Sequence, residues 1–448
     1  MIKKFLLLGL VITQLITSCS NDNNDSSSDN LGDQIENLIN KPYSQLTPAE
    51  QKVKLEAEAN EMLIQLDKTK STSAIETLEN LERLLDISSV DIFNGKNDNQ
   101  VEDIINVSGV YGIYTWNNTK NSWDKTASTN ELKFVFPAKE SQNSNNASLS
   151  AKSTSSDIKV EVYDSYDWTN DIDVNDYFYL PTSTNAILTI DNKEVATISQ
   201  NAKYTNGKET PVEFGYKMSC DGYAWEISAK KAAENTSKAT LTYNGKNLIE
   251  FNTGSTAQID ALIDASLDTD EISSYLGKAN GLIKLMDNFI IVANMDLASA
   301  ATDETSLENS LTYPNYPDYN NPNANFKAYF TAENTYNQKY SSGTVANFNK
   351  NMKLVLVSKK DGTKIADIVL HSEKEDYDYT FNLPVWDSQY QYWDWSNQGE
   401  TFTSVYYTEV YYLKFNDNTE VEMSAYFSSG FEDFETKFKD FITAFEKK

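Results

Sequence analysis

The spacing of apolar residues divides the chain into helical and strand-like stretches. Residues 45–106 carry two apolar stripes with the three- and four-residue spacing of an amphipathic helix. A capping signal precedes each stripe, Thr47-Pro48-Ala49-Glu50 before the first and Ser73-Ala74-Ile75-Glu76 before the second. The pattern predicts an N-terminal helical hairpin over 45–106, with its helices between residues 48 and 86.

From residue 107 to residue 256, the apolar period changes to the alternation that is typical of strands. Short turns rich in Asn, Asp and Gly separate the runs, for example Asp191-Asn192 and Asn244-Gly245. Parallel strands need long crossover connections, and turns this short leave no room for them. Residues 107–256 are therefore predicted to form an antiparallel β domain with a meander order.

Residues 257–448 combine both patterns and predict an α+β domain that ends in a helix. Residues 257–345 have helical spacing, interrupted by the strand-like run 289–298 and by the Pro- and Asn-rich linker 312–325. Two further hairpins are predicted over 352–428, because alternating runs again flank short turns.

The C-terminus carries a final apolar stripe that predicts a helix over residues 430–446. Its polar face has mixed charge, whereas a helix that lies on a membrane has a basic face, so docking on the protein's own sheet is favoured. The predicted fold class is α+β, with antiparallel β-meander sheets, an N-terminal helical hairpin and a C-terminal amphipathic helix.

The first residues have the layout of a bacterial secretion signal. Lys3 and Lys4 precede an apolar run over 5–16, which is shorter than the ~20 residues that a membrane-spanning helix needs. The following Ile16-Thr17-Ser18-Cys19 resembles a lipobox, in which the cysteine is diacylated, the peptide is cut before it and the new amine is acylated. The resemblance implies that residues 1–18 are a lipoprotein signal peptide and that acyl chains on Cys19 hold the mature protein to a membrane.

The residues after Cys19 predict a flexible acidic tether over 19–44. The run "SNDNNDSSSDN" contains no apolar residue, so it cannot bury enough surface to order itself. It resembles the acidic stretches that direct lipoproteins of Bacteroidota-type bacteria to the outer face of the outer membrane. The resemblance implies a protein that is lipid-anchored in the outer membrane and exposed at the cell surface.

Charge narrows the classes of partner. The chain has 66 acidic and 38 basic residues and a formal net charge of −28, which becomes −30 once Lys3 and Lys4 leave with the signal peptide. Such a surface repels phosphate backbones, so nucleic-acid binding is disfavoured. Arg83 is the only arginine, which leaves bidentate recognition of phosphate or carboxylate ligands nearly unavailable.

The scarcity of histidine and cysteine limits the metal sites and catalytic sites that the chain can form. A zinc site with paired histidines is excluded because His371 is the only histidine, and a Ser-His-Asp arrangement would have to use that residue. Cys220 lies in a strand-like run, where a buried, inert thiol is the expected structure. We therefore predict a protein that is not an enzyme, needs no cofactor and has no hydrolase activity dependent on His371.

One acidic loop has part of a calcium-binding pattern. Asp171, Asp173 and Asn175 have the alternate spacing of the start of an EF-hand loop. The sixth position is Asp176 where the motif has Gly, and the twelfth is Thr182 where it has Glu. Because both diagnostic residues differ, a solvated acidic loop is favoured over a metal site.

The stretch "PVWDSQYQYWDWSNQGE", residues 384–400, is the sharpest functional lead. Residues 386–392 alternate like a half-buried strand, and Trp393 and Trp395 then fall in the opposite register, just before a turn signal. If exposed, the two indoles could stack on sugar faces, with Asp394 and Asn397 beside them for hydroxyl groups. The alternative is a loop that folds over the meander and buries both side chains.

Scattered runs resemble a family of uncharacterised surface lipoproteins of Bacteroidota-type bacteria. They include "TWNNTKNSWDK", "YLPTSTNAILTIDNKEVATI" and "LKFNDNTEVEMSAYFSSGFEDF", and the firmest positions are Trp116, Trp123, Phe134, Phe136 and Pro137. The resemblance covers most of the chain after residue 45 and implies a lipobox, a β-rich middle and a terminal helix. The function of that family is undefined, so the resemblance implies fold and location only.

Two functions of different classes follow from the sequence. The first is a non-catalytic surface lipoprotein that binds a ligand, with glycan as the favoured class, or supports an assembly with another surface protein. The second is a carrier for lipid or another apolar ligand, in which a curved sheet cradles helices. A carboxylate-based hydrolase ranks third, because the many acidic residues leave any pairing open. A filled sheet face with aromatics outside favours the first function, and a continuous apolar cavity favours the carrier.

Overall fold

The computed structural model describes residues 18–19, 31–69, 72–90, 101–205, 207–258, 275–375, 379–396, 399–428 and 431. Helix makes up 26% and strand 45%, and a large, mostly antiparallel sheet dominates the structure. The predicted α+β class is confirmed at this level.

The helices and strands follow the chain in this order. The helices are α1 (Leu31–Ile39), α2 (Pro48–Thr69), α3 (Ser73–Ile87), α4 (Val101–Asn106), α5 (Leu297–Ser310), α6 (Phe326–Asn351) and α7 (Met423–Ser428). The strands of the first half are β1 (Ser18–Cys19), β2 (Gly112–Asn117), β3 (Ser122–Thr126), β4 (Leu132–Phe136), β5 (Ala147–Asp167), β6 (Ile172–Ile190), β7 (Lys193–Lys203), β8 (Glu213–Cys220), β9 (Tyr223–Lys230), β10 (Asn235–Tyr243) and β11 (Lys246–Ser255). Those of the second half are β12 (Lys278–Leu285), β13 (Phe289–Asp296), β14 (Met352–Ser358), β15 (Thr363–Lys374), β16 (Tyr379–Asn382), β17 (Val385–Asp387), β18 (Tyr392–Asp394), β19 (Thr401–Ser404), β20 (Tyr407–Lys414) and β21 (Glu420–Glu422).

The main sheet is one ladder of neighbouring strands. Its order is β3, β2, β4, then β5 through β15 in sequence, then β20 and β21. The pairing of β2 with β4 is parallel, and the other pairings of the ladder are antiparallel. The backbone of β1 pairs with the end of β9. Because β11 pairs with β12, the sheet crosses the boundary between the two predicted β-containing domains at residue 256.

The predicted tight turns have the backbone geometry that their residues favour. Asp191 and Asn192 have φ of 49° and 61° and join β6 to β7, and Asn244 and Gly245 have φ of 49° and 76° and join β10 to β11. Positive φ at both central residues matches the right-handed twist of the flanking strands. Asn418, at a φ of 61°, supplies the left-handed residue between β20 and β21 without a glycine.

The largest apolar cluster lies where α3 covers the first half of the sheet. Leu78 and Leu81 from the helix are fully buried, together with Phe134, Leu149 and Leu188 from the strands. Every second residue of a strand points to the same face, so β4 and its neighbours present a continuous apolar surface to α3. The side chains of the helix and the strands fill this face of the sheet.

The second half of the sheet is covered on both faces. Ile35 of α1 is fully buried against a cluster that includes Val355 and Val357 of β14, whereas Leu55 of α2 belongs to the cluster of Leu356. Adjacent strand residues point to opposite faces, which explains why β14 contributes to both clusters. Helix α1 corrects the prediction of a flexible tether for the part that begins at residue 31, since Ile35 packs on an apolar surface formed by residues far along the chain. Residues 20–30 of the predicted tether lie outside the described residues.

Other sequence predictions differ from the structure at particular segments. Residues 278–285 were predicted to be helical and form β12, because their apolar side chains pack between two neighbouring strands. Residues 423–428 were predicted to continue a hairpin and form α7. The predicted C-terminal helix, 430–446, lies outside the described residues except for Phe431, whose ring is 5.1 Å from that of Phe427. Across the described ranges, no helix combines the length and apolar character needed to cross a bilayer.

Candidate functional site

Helix α6 forms one wall of the candidate site. The side-chain amides of Asn334 and Asn349 attach it to the neighbouring backbone. Asn325 caps the helix by accepting a hydrogen bond from the backbone N–H of Ala328 at 2.9 Å. The Asn334 amide donates to the carbonyl of Thr403 and accepts from the N–H of Val405, both at 3.0 Å. These two bonds place the first turns of α6 against the segment that follows β19.

A second amide makes the same kind of contact at the other end of α6. The side chain of Asn349 donates to the carbonyl of Leu370 at 2.8 Å and accepts from its N–H at 2.9 Å. Each amide satisfies a donor and an acceptor of the neighbouring backbone, so the helix is attached at two points about four turns apart.

The Trp-rich stretch is a short hairpin, so the prediction of a single strand over 386–392 is wrong. Trp386 of β17 pairs with Trp393 of β18, and their rings are 5.6 Å apart. One carboxylate oxygen of Asp387 accepts from the N–H groups of Gln389 and Tyr390, at 2.8 and 3.0 Å. An Asp side chain that captures the amides two and three residues ahead stabilises a turn, and this turn interrupts the alternating pattern.

Trp393 is a packing residue. Its ring is half-buried and lies 4.9 Å from Phe326 at the start of α6. Its indole N–H donates to the carbonyl of Asn321 at 3.2 Å. The loop before α6 therefore covers this side chain, in keeping with the alternative in which the tryptophan is buried and does not bind a ligand.

Trp395 has a different environment, at the edge of a cleft of about 340 Å³. It is 38% exposed, and its ring lies 6.4 Å from Phe381 of β16 at an interplanar angle of 28°. Tyr379, on the same face of β16, is half-exposed and stacks on Phe381 at 5.4 Å. The cleft is lined by Phe330, Glu333, Tyr379, Phe381, Asn382, Trp395, Ser404 and Tyr406.

The acidic group in this cleft is Glu333, and tyrosine hydroxyls orient it. The same carboxylate oxygen accepts a hydrogen bond from Tyr329 at 3.2 Å and another from Tyr313. The bond to Glu333 raises the pKa of Tyr313 above its ordinary value, because losing the phenol proton would place two negative charges together. The Tyr313 phenol therefore remains a donor at neutral pH, and the two hydrogen bonds orient the carboxylate.

Of the two polar residues that the sequence placed beside the tryptophans, Asp394 is not among the described residues that line the cleft. The Asp394 carboxylate accepts from the N–H of Ser396 at 2.8 Å and from its hydroxyl at 2.5 Å, so it stabilises the local turn. Asn397 lies outside the described residues. Of the four predicted ligand-binding residues, the structure places Trp395 in the cleft and Trp393 in the packing beneath it.

Most of the cleft was missed by the sequence reasoning. Phe330 and Glu333 lie on one face of α6 at helical spacing, and Tyr379 and Phe381 alternate along β16, so each pair carried a local signal. No sequence pattern indicated that the two pairs would be in contact, because Phe330 and Phe381 are far apart in sequence. In the structure, their rings are 4.9 Å apart.

The residues considered for catalysis or metal binding lie elsewhere. Nε2 of His371 is 2.7 Å from Glu420, on the surface beside the ring of Tyr412. Asp171 lies in the turn after β5, whereas Asp173 and Asn175 lie within β6. Within the described ranges, no group of three or more His, Cys, Asp or Glu side chains is placed to hold a metal ion.

Cys220 is buried, and burial raises its pKa to about 12. The thiolate is the reactive form, so we expect the folded protein to resist thiol reagents at pH 8 and to react fully in denaturant. The measurement is best made on Cys19→Ala, which leaves Cys220 as the single cysteine. Rapid modification of the folded variant would contradict an inert thiol.

Burial of Cys220 also has a consequence for alkaline stability. The unfolded chain loses the thiol proton near the ordinary pKa of about 8.5, whereas the folded chain keeps it until pH rises towards 12. The stabilising contribution is therefore complete below about pH 8.5 and declines as the pH rises through this window.

Comparison of the chain with protein-family models, with curated proteins and with solved structures finds no match. The functional argument therefore rests on the cleft and its surroundings.

Proposed function

We propose that this protein is a non-catalytic, lipid-anchored surface lipoprotein that binds a glycan in the cleft beside Trp395. The observation that carries the proposal is an accessible aromatic surface next to an oriented carboxylate. Trp395 and Tyr379 stay partly exposed although other aromatic side chains lie close enough to cover them. Exposed aromatic surface is costly in water unless a ligand uses it.

The groups in the cleft match the chemistry of a sugar. The apolar C–H face of a pyranose packs on indole or phenol rings, and its hydroxyls need hydrogen-bond partners at the rim. Glu333 accepts from hydroxyls, and the Asn382 amide both donates and accepts. A volume of about 340 Å³ lies at the lower end of the range for small-molecule sites, which fits one or two sugar rings better than a long chain.

The filled core favours ligand binding at this cleft over carriage of lipid, the second candidate. A carrier needs a continuous apolar cavity on the face of the sheet that the helices cover. In the first half of the sheet, that face is occupied by fully buried side chains of α3 and of the strands. The aromatic cleft is instead on the outside, between α6 and the small sheet of β16 and β19.

The remaining parts of the proposal concern the anchor and two helical features. Acyl chains on Cys19 would hold the protein in the outer membrane, with the following acidic residues leading to α1. We also propose that α2 and α3 act as a helical hairpin over the sheet and that residues 430–446 form a further amphipathic helix. The packing of Phe431 against Phe427 in the cluster of α7 supports the latter placement.

We expect Trp395→Ala to weaken glycan binding at least about tenfold, equivalent to about 1.4 kcal/mol, because it removes the stacking surface of the cleft. Titration of the soluble chain from residue 20 onwards with a panel of oligosaccharides would measure this. Tyr390→Ala is the matched control, since Tyr390 is 69% exposed on the same hairpin and lies outside the cleft lining.

Trp393→Ala separates packing from binding. Its ring contacts Phe326 and its N–H is bonded, so truncation should lower thermal stability more than Trp395→Ala does.

Equal affinity of wild type and Trp395→Ala for every sugar that binds would contradict the assignment of the cleft, as would a panel with no binding at all.

A further inference from the structure

Strands β5 and β6 extend well beyond the sheet to which they belong. β5 pairs with β4 only over residues 147–151, and β6 pairs with β7 only over 183–190. Residues 159–167 and 172–179 continue to pair with each other, and we call residues 159–178 the arm. Nine strand residues rise about 30 Å, so the arm extends far from the main sheet.

The arm has an aliphatic face and a tyrosine face. Because strand residues alternate, Ile172 and Val174 lie on one face, and Tyr177 lies on the other, as does Tyr163 opposite Asn175. Ile172 is 54% exposed and Tyr163 57% exposed. An isolated two-stranded hairpin is only marginally stable in water, so a hairpin with exposed apolar residues on both faces is suited to being covered by a partner.

The tip of the arm is held in one geometry. A carboxylate oxygen of Asp167 accepts from the N–H groups of Thr169 and Asn170, at 2.8 and 3.2 Å. Asp171, at a φ of 58°, closes the turn and accepts from the hydroxyl of Tyr166. Trp168 at the tip is 88% exposed, with its ring 4.8 Å edge-on from Tyr166. A preorganised surface loses little conformational entropy when a partner binds.

The charge of the arm selects the kind of partner. Residues 159–178 contain six acidic side chains and one basic side chain, Lys159, whose ammonium lies 3.8 Å from the centre of the Tyr177 ring. A second copy of the arm and an anionic membrane surface would both be repelled, whereas a basic polypeptide would be attracted.

The backbone of the arm offers a way to bind such a polypeptide. Among the described residues, 172–177 of β6 pair with β5 and with no other strand, so β6 presents the outer edge of its backbone over this length. Long exposed edges are templates for an added strand. We infer that the arm docks a protein partner through a basic, extended segment that adds to the outer edge of β6 over residues 172–177 and covers the face of Ile172 and Val174.

The inference is independent of the glycan cleft, and a defined peptide tests it. The probe is a labelled peptide of alternating lysine and valine, used at an ionic strength of about 0.15 M, where charges are screened beyond about 8 Å. We expect it to bind the soluble chain, and a peptide of alternating glutamate and valine not to bind. A lysine–valine peptide with central prolines keeps the charge but cannot complete the strand hydrogen bonds, so it should bind at least about tenfold more weakly.

Two variants locate the binding. In the first, Asn-Gly replaces residues 162–176 and closes the hairpin between Glu161 and Tyr177, which are paired in the structure, so that Phe178 stays packed against the main cluster. This variant should keep the thermal stability and the glycan binding of the wild type, and it should no longer bind the lysine–valine peptide. The second, Ile172→Ser with Val174→Ser, keeps the arm's charge and should weaken peptide binding at least about tenfold.

Three results would overturn the inference. The first is unchanged binding of the lysine–valine peptide to the shortened chain, and the second is equal binding of the proline-containing peptide to the wild type. The third is that the wild type self-associates in a sedimentation experiment and the shortened chain does not. That result would identify a second copy of the chain as the partner that covers the arm.

Discussion

Replacing Phe134 by alanine is expected to lower the free energy of unfolding by about 3–5 kcal/mol. The ring is fully buried, stacks on Tyr114 at a centroid distance of 5.2 Å and meets the edge of Trp123 at 5.4 Å. Its removal would leave a cavity in the cluster between α3 and the sheet, which the surrounding side chains fill only in part. Denaturant titration of the soluble chain measures the change, with the midpoint and the slope both recorded.

Tyr390→Ala is the control, because the same loss of an aromatic ring at an exposed hairpin tip should stay within about 0.5 kcal/mol. A loss below about 1 kcal/mol for Phe134→Ala would mean that this face of the sheet is loosely filled. That result would favour the carrier function, for which room beneath the helix is a requirement.

Replacing Cys19 by alanine is expected to move the protein from the membrane fraction to the soluble fraction. Acyl chains on Cys19 supply the proposed anchor, with each buried CH₂ contributing ~0.8 kcal/mol, and the strongly acidic surface gives no attraction to anionic headgroups. Fractionation of cells that express the full chain, followed by immunoblotting, measures the distribution.

Cys220→Ala is the matched control, since it removes the other cysteine and should leave the protein with the membrane. Retention of Cys19→Ala in the membrane fraction would show that a second anchor exists. Accessibility of the wild type to protease on intact cells would then test the proposed exposure at the cell surface.

The proposed glycan cleft and the arm differ in the chemistry that they offer to a ligand. The cleft combines aromatic rings with an oriented carboxylate, whereas the arm combines exposed apolar side chains, the outer edge of β6 and negative charge. A surface lipoprotein with both would hold a glycan at one site and a protein partner at the other. Trp395→Ala and the shortened arm separate these activities, because each changes one site.

Hairpins were predictable from sequence because their causes are local. Asp191-Asn192 and Asn244-Gly245 adopt positive φ at little cost, and the alternating residues on either side pair across the turn. Helices α2 and α3 were predictable for the same reason. The Thr47 and Glu50 side chains and backbone bond each other as a capping box, as predicted. The N-cap of α3 is Thr72, one residue before the predicted Ser73, and its side chain accepts from the N–H of Ile75.

The misassigned segments are those whose conformation depends on distant partners. Helix α1 is part of the structure because Ile35 packs against strands some 250 and 320 positions further along the chain. Strand β12 has an ambiguous apolar pattern, and its pairing with β11 and β13 selects the strand. A local sequence pattern does not identify such distant partners, so secondary-structure propensity alone could not decide the conformation of these segments.

The sequence by itself determined the charge of the surface, the scarcity of catalytic side chains, the tight turns and the concentration of aromatic residues around 386–395. Only the tertiary structure decided how those aromatics are used. It packs Trp393 against Phe326 and leaves Trp395 at a cleft whose other walls come from α6 and β16. The physical reason is that exposure depends on what covers a side chain, and the covering residues here are distant in sequence.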